Sequence, residues 1–350
     1  MFQHPDWVDS VGSFGWSGVD LFFVLSGYLI SGQLFHKIAK EQSISLKEFF
    51  LKRVFRILPA YLTVLAIYFL FPAFHEREAL PPLWKFLTFQ NFGLDLRQHG
   101  TFSHAWSLCI EEQFYLLLPF MLCLLLYMKA MRRGIFILLI LFAGTIAFRL
   151  YSWKFVLPPP DAKDFGFRWY QNIYYPSYTR LDGLLTGIAI AALHQFLPGF
   201  RNGLRRYGNL LIVAGLLMLG LAWIVCADEM SYRASIYGFT LIAIAYGVIL
   251  SGAISPASIL YRFSSKVTSF IAAFSYAIYL SHKGVIHLAQ PFFEKLGIDP
   301  DSSLMFLFCA ISCLLSAILL RYAIEKPFLK LRDRILEKKK AQKKVLITDK

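Results

Sequence analysis

The residues of this chain best placed to do chemistry are charged and hydroxyl-bearing side chains set inside long apolar runs. Ionisable groups are expensive in hydrocarbon and are functional candidates by default. Residues 18–32 read GVDLFFVLSGYLISG, with Asp20 at the entry to an apolar run and Ser26 near its middle. Gly18, Gly27 and Gly32 in the same stretch would allow a second backbone close, so a packing face competes with a polar site. Asp20 can equally be an acidic residue favoured by the dipole of a helix N-terminus. Residues 45–61, SLKEFFLKRVFRILPAY, carry Arg53 and Arg56 at i,i+3, one helix face and about 4.5 Å apart along the axis. Two guanidinium forks suit phosphate oxygens, and they also suit lipid headgroups. Residues 104–119, HAWSLCIEEQFYLLLP, set Glu111 and Glu112 in an apolar run, with Tyr115 one turn after Glu111. Adjacent carboxylates point in different directions, so the pair is no acid–base dyad by spacing; solvated acids in an interfacial aromatic belt are the alternative. Residues 274–287, FSYAIYLSHKGVIH, place Tyr279, His282 and Lys283 inside a span. Tyr279 and His282 at i,i+3 point to a polar cavity rather than a lone packing histidine.

The elements that must position these groups are membrane helices. Hydrophobic residues make up 57% of the chain and charged residues 17%, against about 25% charged in a soluble domain. Apolar runs long enough to span occur at 18–36, 56–74, 113–128, 134–151, 181–196, 209–226, 234–252, 268–291 and 304–323. The period-2 alternation of membrane strands is absent, which excludes a barrel. The expected fold class is therefore all-α, a polytopic transmembrane helix bundle with nine spans. One membrane domain covers 1–332, and a basic tail covers 333–350.

Charge sets the orientation. Lys37, Lys40, Lys47, Lys52, Arg53, Lys129, Arg132, Arg133, Arg201, Arg205, Arg206, Arg262 and Lys266 fall on one side, together with the Lys-rich tail. Basic residues accumulate in cytoplasmic loops, so the C-terminus is expected in the cytoplasm of a multi-pass inner-membrane protein. The net charge of +14 then reports topology and attraction to membrane lipids. Nucleic acid is not an expected partner, because no folded basic domain is present. The tail is expected to be a flexible segment near anionic headgroups. Cys109, Cys123, Cys226, Cys309 and Cys313 form no CxxC pair and read as small apolar residues. No cluster has metal-ligand spacing. Trp153, Trp169 and Tyr170 are open to two readings, sugar stacking and interfacial anchoring.

Six segments, in order, resemble the membrane acyltransferase-3 family, which includes bacterial O-antigen and exopolysaccharide O-acetyltransferases. They are GVDLFFVLSGYLI, KEFFLKRVFRILPAY, HAWSLCIEEQFYLLLP, YTRLDGLLTG (178–187), SYAIYLSH and YAIEKPF (322–328). The resemblance implies an acyltransferase moving acetyl or another short acyl group from acyl-CoA, as donor substrate, to a hydroxyl of a glycan or lipid-linked glycan. No permanently bound cofactor or metal is implied. Arg53 and Arg56 would bind the CoA phosphates. Glu111, Tyr115, Arg180, Asp182 and His282 would line the interior site or hold its helices, as would Asp20, Ser26 and Tyr279.

The chain departs from the family at its start. The family has ten helices with both termini cytoplasmic, and its first helix carries an arginine followed by a presumed catalytic histidine. That helix is absent here. His4 lies at about the histidine's distance from the Gly-Val-Asp motif, and it is either that base or an ordinary loop histidine. A start site placed too far downstream, or a truncated chain, is the expected cause. Two rivals remain: a transporter of a glycan or small solute, and an inactive acyltransferase-like partner protein.

Overall fold

The computed structural model describes residues 4–77, 80–90, 100–263 and 265–348. Every regular element among them is helical. A short α1 (Asp6–Gly12) leads into α2 (Gly18–Ala39) and α3 (Leu46–Leu70). A small α4 (Leu83–Leu87) precedes α5 (Trp106–Tyr127) and α6 (Gly134–Tyr151). After α7 (Phe165–Trp169) come α8 (Asp182–Phe196), α9 (Pro198–Val225) and α10 (Phe239–Ala253). The turn of α11 (Ile259–Arg262) leads to α12 (Lys266–Lys295), α13 (Ser303–Leu320) and α14 (Lys326–Thr348).

Seven of these segments are long and apolar enough to cross a membrane: those built on α2, α3, α5, α6, α9, α10 and α13. Two of the nine expected spans fall short of that measure. Helix α8 has only 15 residues, about 22 Å at 1.5 Å per residue. Helix α12 is 30 residues long, but Lys266, His282, Lys283, Glu294 and Lys295 lower its hydropathy.

Several boundaries move outward from the apolar runs. Helix α3 begins ten residues before the apolar run, capped by the Ser45 side chain accepting from Glu48 N–H at 3.3 Å. This places Arg53, which precedes the apolar run, inside the helix with Arg56. Helix α5 likewise begins at Trp106, so Glu111 lies over a turn inside it. Helix α9 kinks at Tyr207 (φ −115°, ψ 18°), dividing a basic first part from the apolar part that starts near Asn209. The tail differs from the flexible segment expected. It continues from α13 through a π-helical turn (Arg321–Glu325) into α14. Its Lys-, Leu- and Glu-rich sequence has high helix propensity, and α14 starts against α3.

The core is built on α2 crossing α8 at close range. A Cβ on Gly27 would lie 2.2 Å from the Leu184 carbonyl oxygen, and one on Gly187 would lie 2.2 Å from the Val24 carbonyl oxygen. Only glycine fits at either point. Gly18 has open space and Gly32 ordinary contact with Ala191 at 3.9 Å, so the close approach belongs to Gly27 alone of the three. Cys109, Cys226, Cys309 and Cys313 are buried free thiols and Cys123 is half-buried, as packing residues would be. Antiparallel alternation leaves two ends to the bundle. The starts of α3 and α6 lie at the α14 end; the starts of α2, α5 and α8 lie at the opposite end.

Candidate functional site

Helix α5 and the 3-10 turn before it carry the polar spine of the molecule. His104, Ser107, Glu111 and Tyr115 recur at i, i+3, i+7 and i+11. That spacing is one helix face, about 16 Å long, and all four residues are buried. The interfacial, solvated alternative for Glu111 is thereby excluded.

Toward the α14 end, the Glu111 carboxylate gathers two hydroxyls. Ser26 Oγ donates to Glu111 Oε1 at 2.5 Å, and the Tyr115 hydroxyl donates to the same oxygen. Both hydroxyls donate to one carboxyl oxygen, whose two lone pairs suffice to accept them. The Arg53 guanidinium sits over the Tyr115 ring, 5.4 Å from its centroid, and donates to Gln33 Oε1 at 3.2 Å. Arg53 is half-buried, whereas Arg56 is exposed at the start of the same helix. The two arginines are therefore not equivalent: one reaches the interior carboxylate cluster and the other stays at the surface. Glu112 is half-buried on a different flank, with Oε1 buried and without a partner among the described residues.

At the opposite end, α5 meets α12. Tyr279 donates its hydroxyl proton to the His104 carbonyl at 2.6 Å, so Ser107 Oγ must donate in its 2.6 Å contact with Tyr279. The His104 and His282 rings lie 4.9 Å apart, centroid to centroid. Lys283 Nζ donates to Ser103 Oγ at 3.0 Å. The turn after α3 packs tightly on α12 here: a Cβ on Gly284 would meet the Phe74 ring at 2.2 Å.

Beside this spine stand two buried ion pairs. One Arg180 nitrogen, Nη2, donates to both Asp20 oxygens at 3.1 and 3.0 Å. Arg149 and Asp182 form a fork, Nη1 to Oδ2 at 2.9 Å and Nη2 to Oδ1 at 3.2 Å. Thr240 donates to Asp182 Oδ1 at 2.8 Å. Asp20 is thus the acid of a salt bridge between α2 and the start of α8, not a solvent-facing helix-end charge. The Arg180 guanidinium also lies 3.8 Å from the Phe239 ring centroid and 4.9 Å from that of Tyr174. Asp20, Arg180 and Asp182 therefore fix α2, α6, α8 and α10 together, and touch neither end of the spine directly.

His4 is half-buried just ahead of α1, and the contacts just described at the spine do not include it. Helix α1 docks through Trp7, whose indole donates to Ser303 at 3.1 Å. Trp169 is fully buried and donates to Ser235 at 2.7 Å; it is core, not a sugar-stacking surface. Sequence reasoning missed Arg149 and His104. An arginine within the run 134–151 was the signal for the first, and the histidine opening HAWSL for the second. Among the described residues no group of three or more His, Cys, Asp or Glu is placed to hold a metal ion.

Comparison with known proteins identifies relatives. A family model described as an acyltransferase domain, acyltransferase-3, matches residues 1–322. The peptidoglycan O-acetyltransferase OatA of Listeria monocytogenes is 31% identical over 301 residues, covering 80% of this chain and 46% of that protein. The O-acetyltransferase OatA of Staphylococcus aureus is 28% identical over 310 residues, covering 80% of this chain and 47% of that protein. An uncharacterised protein of Haemophilus influenzae is 34% identical over 224 residues, covering 57% of this chain and 84% of that protein. The chain thus spans about half the length of the two O-acetyltransferases. No solved structure matches it significantly.

Proposed function

This chain belongs to the acyltransferase-3 family, and from that premise we propose that it transfers an acetyl or other short acyl group from acyl-CoA to a hydroxyl of a cell-surface glycan or its lipid-linked precursor. The observation that carries the reading is Arg53: a guanidinium at the α14 end that also packs on the tyrosine bonded to the buried Glu111. It links a phosphate-binding mouth to an interior carboxylate. Arg56, exposed one turn on, adds a second phosphate contact. The names of the relatives support the acceptor class: both are O-acetyltransferases, and one acts on peptidoglycan. Peptidoglycan is accordingly the first acceptor to test.

In the proposed reaction the acceptor O–H gives its proton to an imidazole nitrogen. Its oxygen forms the C–O bond to the acyl carbon, the C–S bond breaks, and the thiolate leaves and is reprotonated. Histidine suits the base because its ordinary pKa lies near neutrality; His282 is one candidate and His4 the other. Glu111 and Tyr115 hold the donor end of the spine in register, with Ser26 completing the carboxylate's hydrogen bonds. Asp20, Arg180 and Asp182 hold the helices. Tyr279 orders the acceptor end. The protein sits in the inner membrane through nine spans, with α8 packed on α2 and with His282 and Lys283 of α12 half-buried, shielded from lipid. Its basic loops and α14 face the cytoplasm and its anionic lipids.

The test is transfer of label from acyl-CoA to glycan by the purified protein in proteoliposomes. Labelled glycan is the expected product. Flux of glycan or solute without acyl-CoA consumption would make the chain a transporter, and absence of both would make it an inactive partner.

A further inference from the structure

We propose that His104 and His282 together form the acceptor subsite, taking hydrogen bonds from neighbouring hydroxyls of a glycan that enters from the end of the bundle away from α14. The assignment rests on the acyltransferase reading above and names a residue, His104, that the reading does not use.

The argument starts from where the imidazole protons must be. His104 Nε2 lies 3.1 Å from the Leu280 carbonyl oxygen. A carbonyl only accepts, so Nε2 carries the proton and Nδ1 keeps its lone pair. His282 Nδ1 lies 2.8 Å from the Tyr279 carbonyl oxygen, so in that ring the lone pair is on Nε2. Backbone carbonyls on α12 therefore lock both neutral tautomers, with one basic nitrogen on each ring left over. His104 Nδ1 is buried and has no partner among the described residues. An unfilled buried acceptor is costly, which points to a donor supplied from outside.

The neighbours cannot supply it. The Tyr279 proton is committed to the His104 carbonyl and the Ser107 proton to Tyr279. Lys283 donates one N–H to Ser103 and does not bond His104 Nδ1, and its positive charge beside the rings disfavours a cationic donor. Two lone pairs disfavour an anion. A metal would need a third ligand, and no group of three stands among the described residues. What fits is a neutral donor, and ring separation of 4.9 Å suits a group with more than one hydroxyl. The half-buried Tyr279 ring, 5.9 Å from His282, gives an apolar face for sugar C–H groups. His282 is half-buried, while His104 is buried.

The experiment measures KM separately for labelled acetyl-CoA and for de-O-acetylated envelope glycan of the host, in proteoliposomes. His104→Phe keeps a ring and removes the lone pair; His282→Phe does the same for its partner. Each is expected to raise the glycan KM tenfold or more while the acetyl-CoA KM stays within twofold; His282→Phe, which also removes a candidate base, is expected to lower kcat as well. His104→Gln keeps a donor for the Leu280 carbonyl and replaces His104→Phe if that variant fails to fold, judged by thermal melting. If the wild-type protein transfers label and the variants leave the glycan KM unchanged, or raise the acetyl-CoA KM instead, the subsite is wrong and the acyltransferase reading survives. If the wild-type protein transfers no label, the reading fails and the subsite with it.

Discussion

Arg53 packs its guanidinium on the ring of Tyr115, 5.4 Å from the centroid, and the hydroxyl of that tyrosine is bonded to Glu111. A cation at one end of the bundle is thereby mechanically and electrostatically tied to a carboxylate within it. Arg56, on the same helix, is exposed, and its charge acts on Glu111 from a distance.

That asymmetry gives a graded expectation for donor binding. Arg53→Ala should raise the KM for acyl-CoA about tenfold or more, about 1.4 kcal/mol of binding. Arg56→Ala should have a smaller effect, and Arg53→Lys should recover only part, because an ammonium lacks the planar fork. Steady-state kinetics with labelled acyl-CoA decides it; an unchanged KM in the double alanine variant removes the phosphate role.

Glu111 accepts from Ser26 and Tyr115 through one oxygen. Glu111→Gln replaces the carboxyl that orders both hydroxyls and should lower kcat about a hundredfold, the scale of losing a positioning network. Ser26→Ala should cost less than tenfold, because Tyr115 still holds the carboxylate. Equal losses in the two variants would contradict the shared-acceptor geometry.

The two buried ion pairs predict a distinctive mutational pattern. Arg149→Met leaves Asp182 charged in a buried site and should destabilise the protein by about 3–5 kcal/mol. The double variant Arg149→Met with Asp182→Leu should recover most of that loss, since a buried pair roughly breaks even against apolar replacements. Thermal melts in detergent measure both. A double variant no more stable than the single one would show that the pair contributes more than its own compensation.

Glu229, in the loop between α9 and α10, accepts from the Tyr170 hydroxyl at 3.2 Å. Burial holds its carboxyl above the usual carboxylate range, and the Tyr170 bond only partly offsets this. An acid with a raised folded-state pKa binds its proton more tightly when folded. Its contribution is present below the ordinary value of 4.5 and is lost as pH rises through the raised one. Glu229→Gln should flatten the fall in melting temperature over that window. A wild-type profile that rises there instead would contradict the sign.

The sequence by itself determined that the chain is a set of membrane helices and marked seven of the segments long and apolar enough to cross, because backbone amides in hydrocarbon allow only helices or closed barrels and the period of the apolar runs excludes the latter. Residue spacing also placed Glu111 with Tyr115, and Arg53 with Arg56, on common helix faces, since a 3.6-residue period is local. It could not decide what those faces meet. That Asp20 pairs with Arg180, 160 positions away, that Arg149 answers Asp182, and that His104 stands beside His282 depend on which helices pack together. The packing is set by close contacts such as Gly27 against Leu184, and no periodicity along one segment encodes its partner. The same limit explains the separation of Arg53 from Arg56: their spacing says they are neighbours, while only the position of α5 makes one an interior residue and leaves the other at the surface.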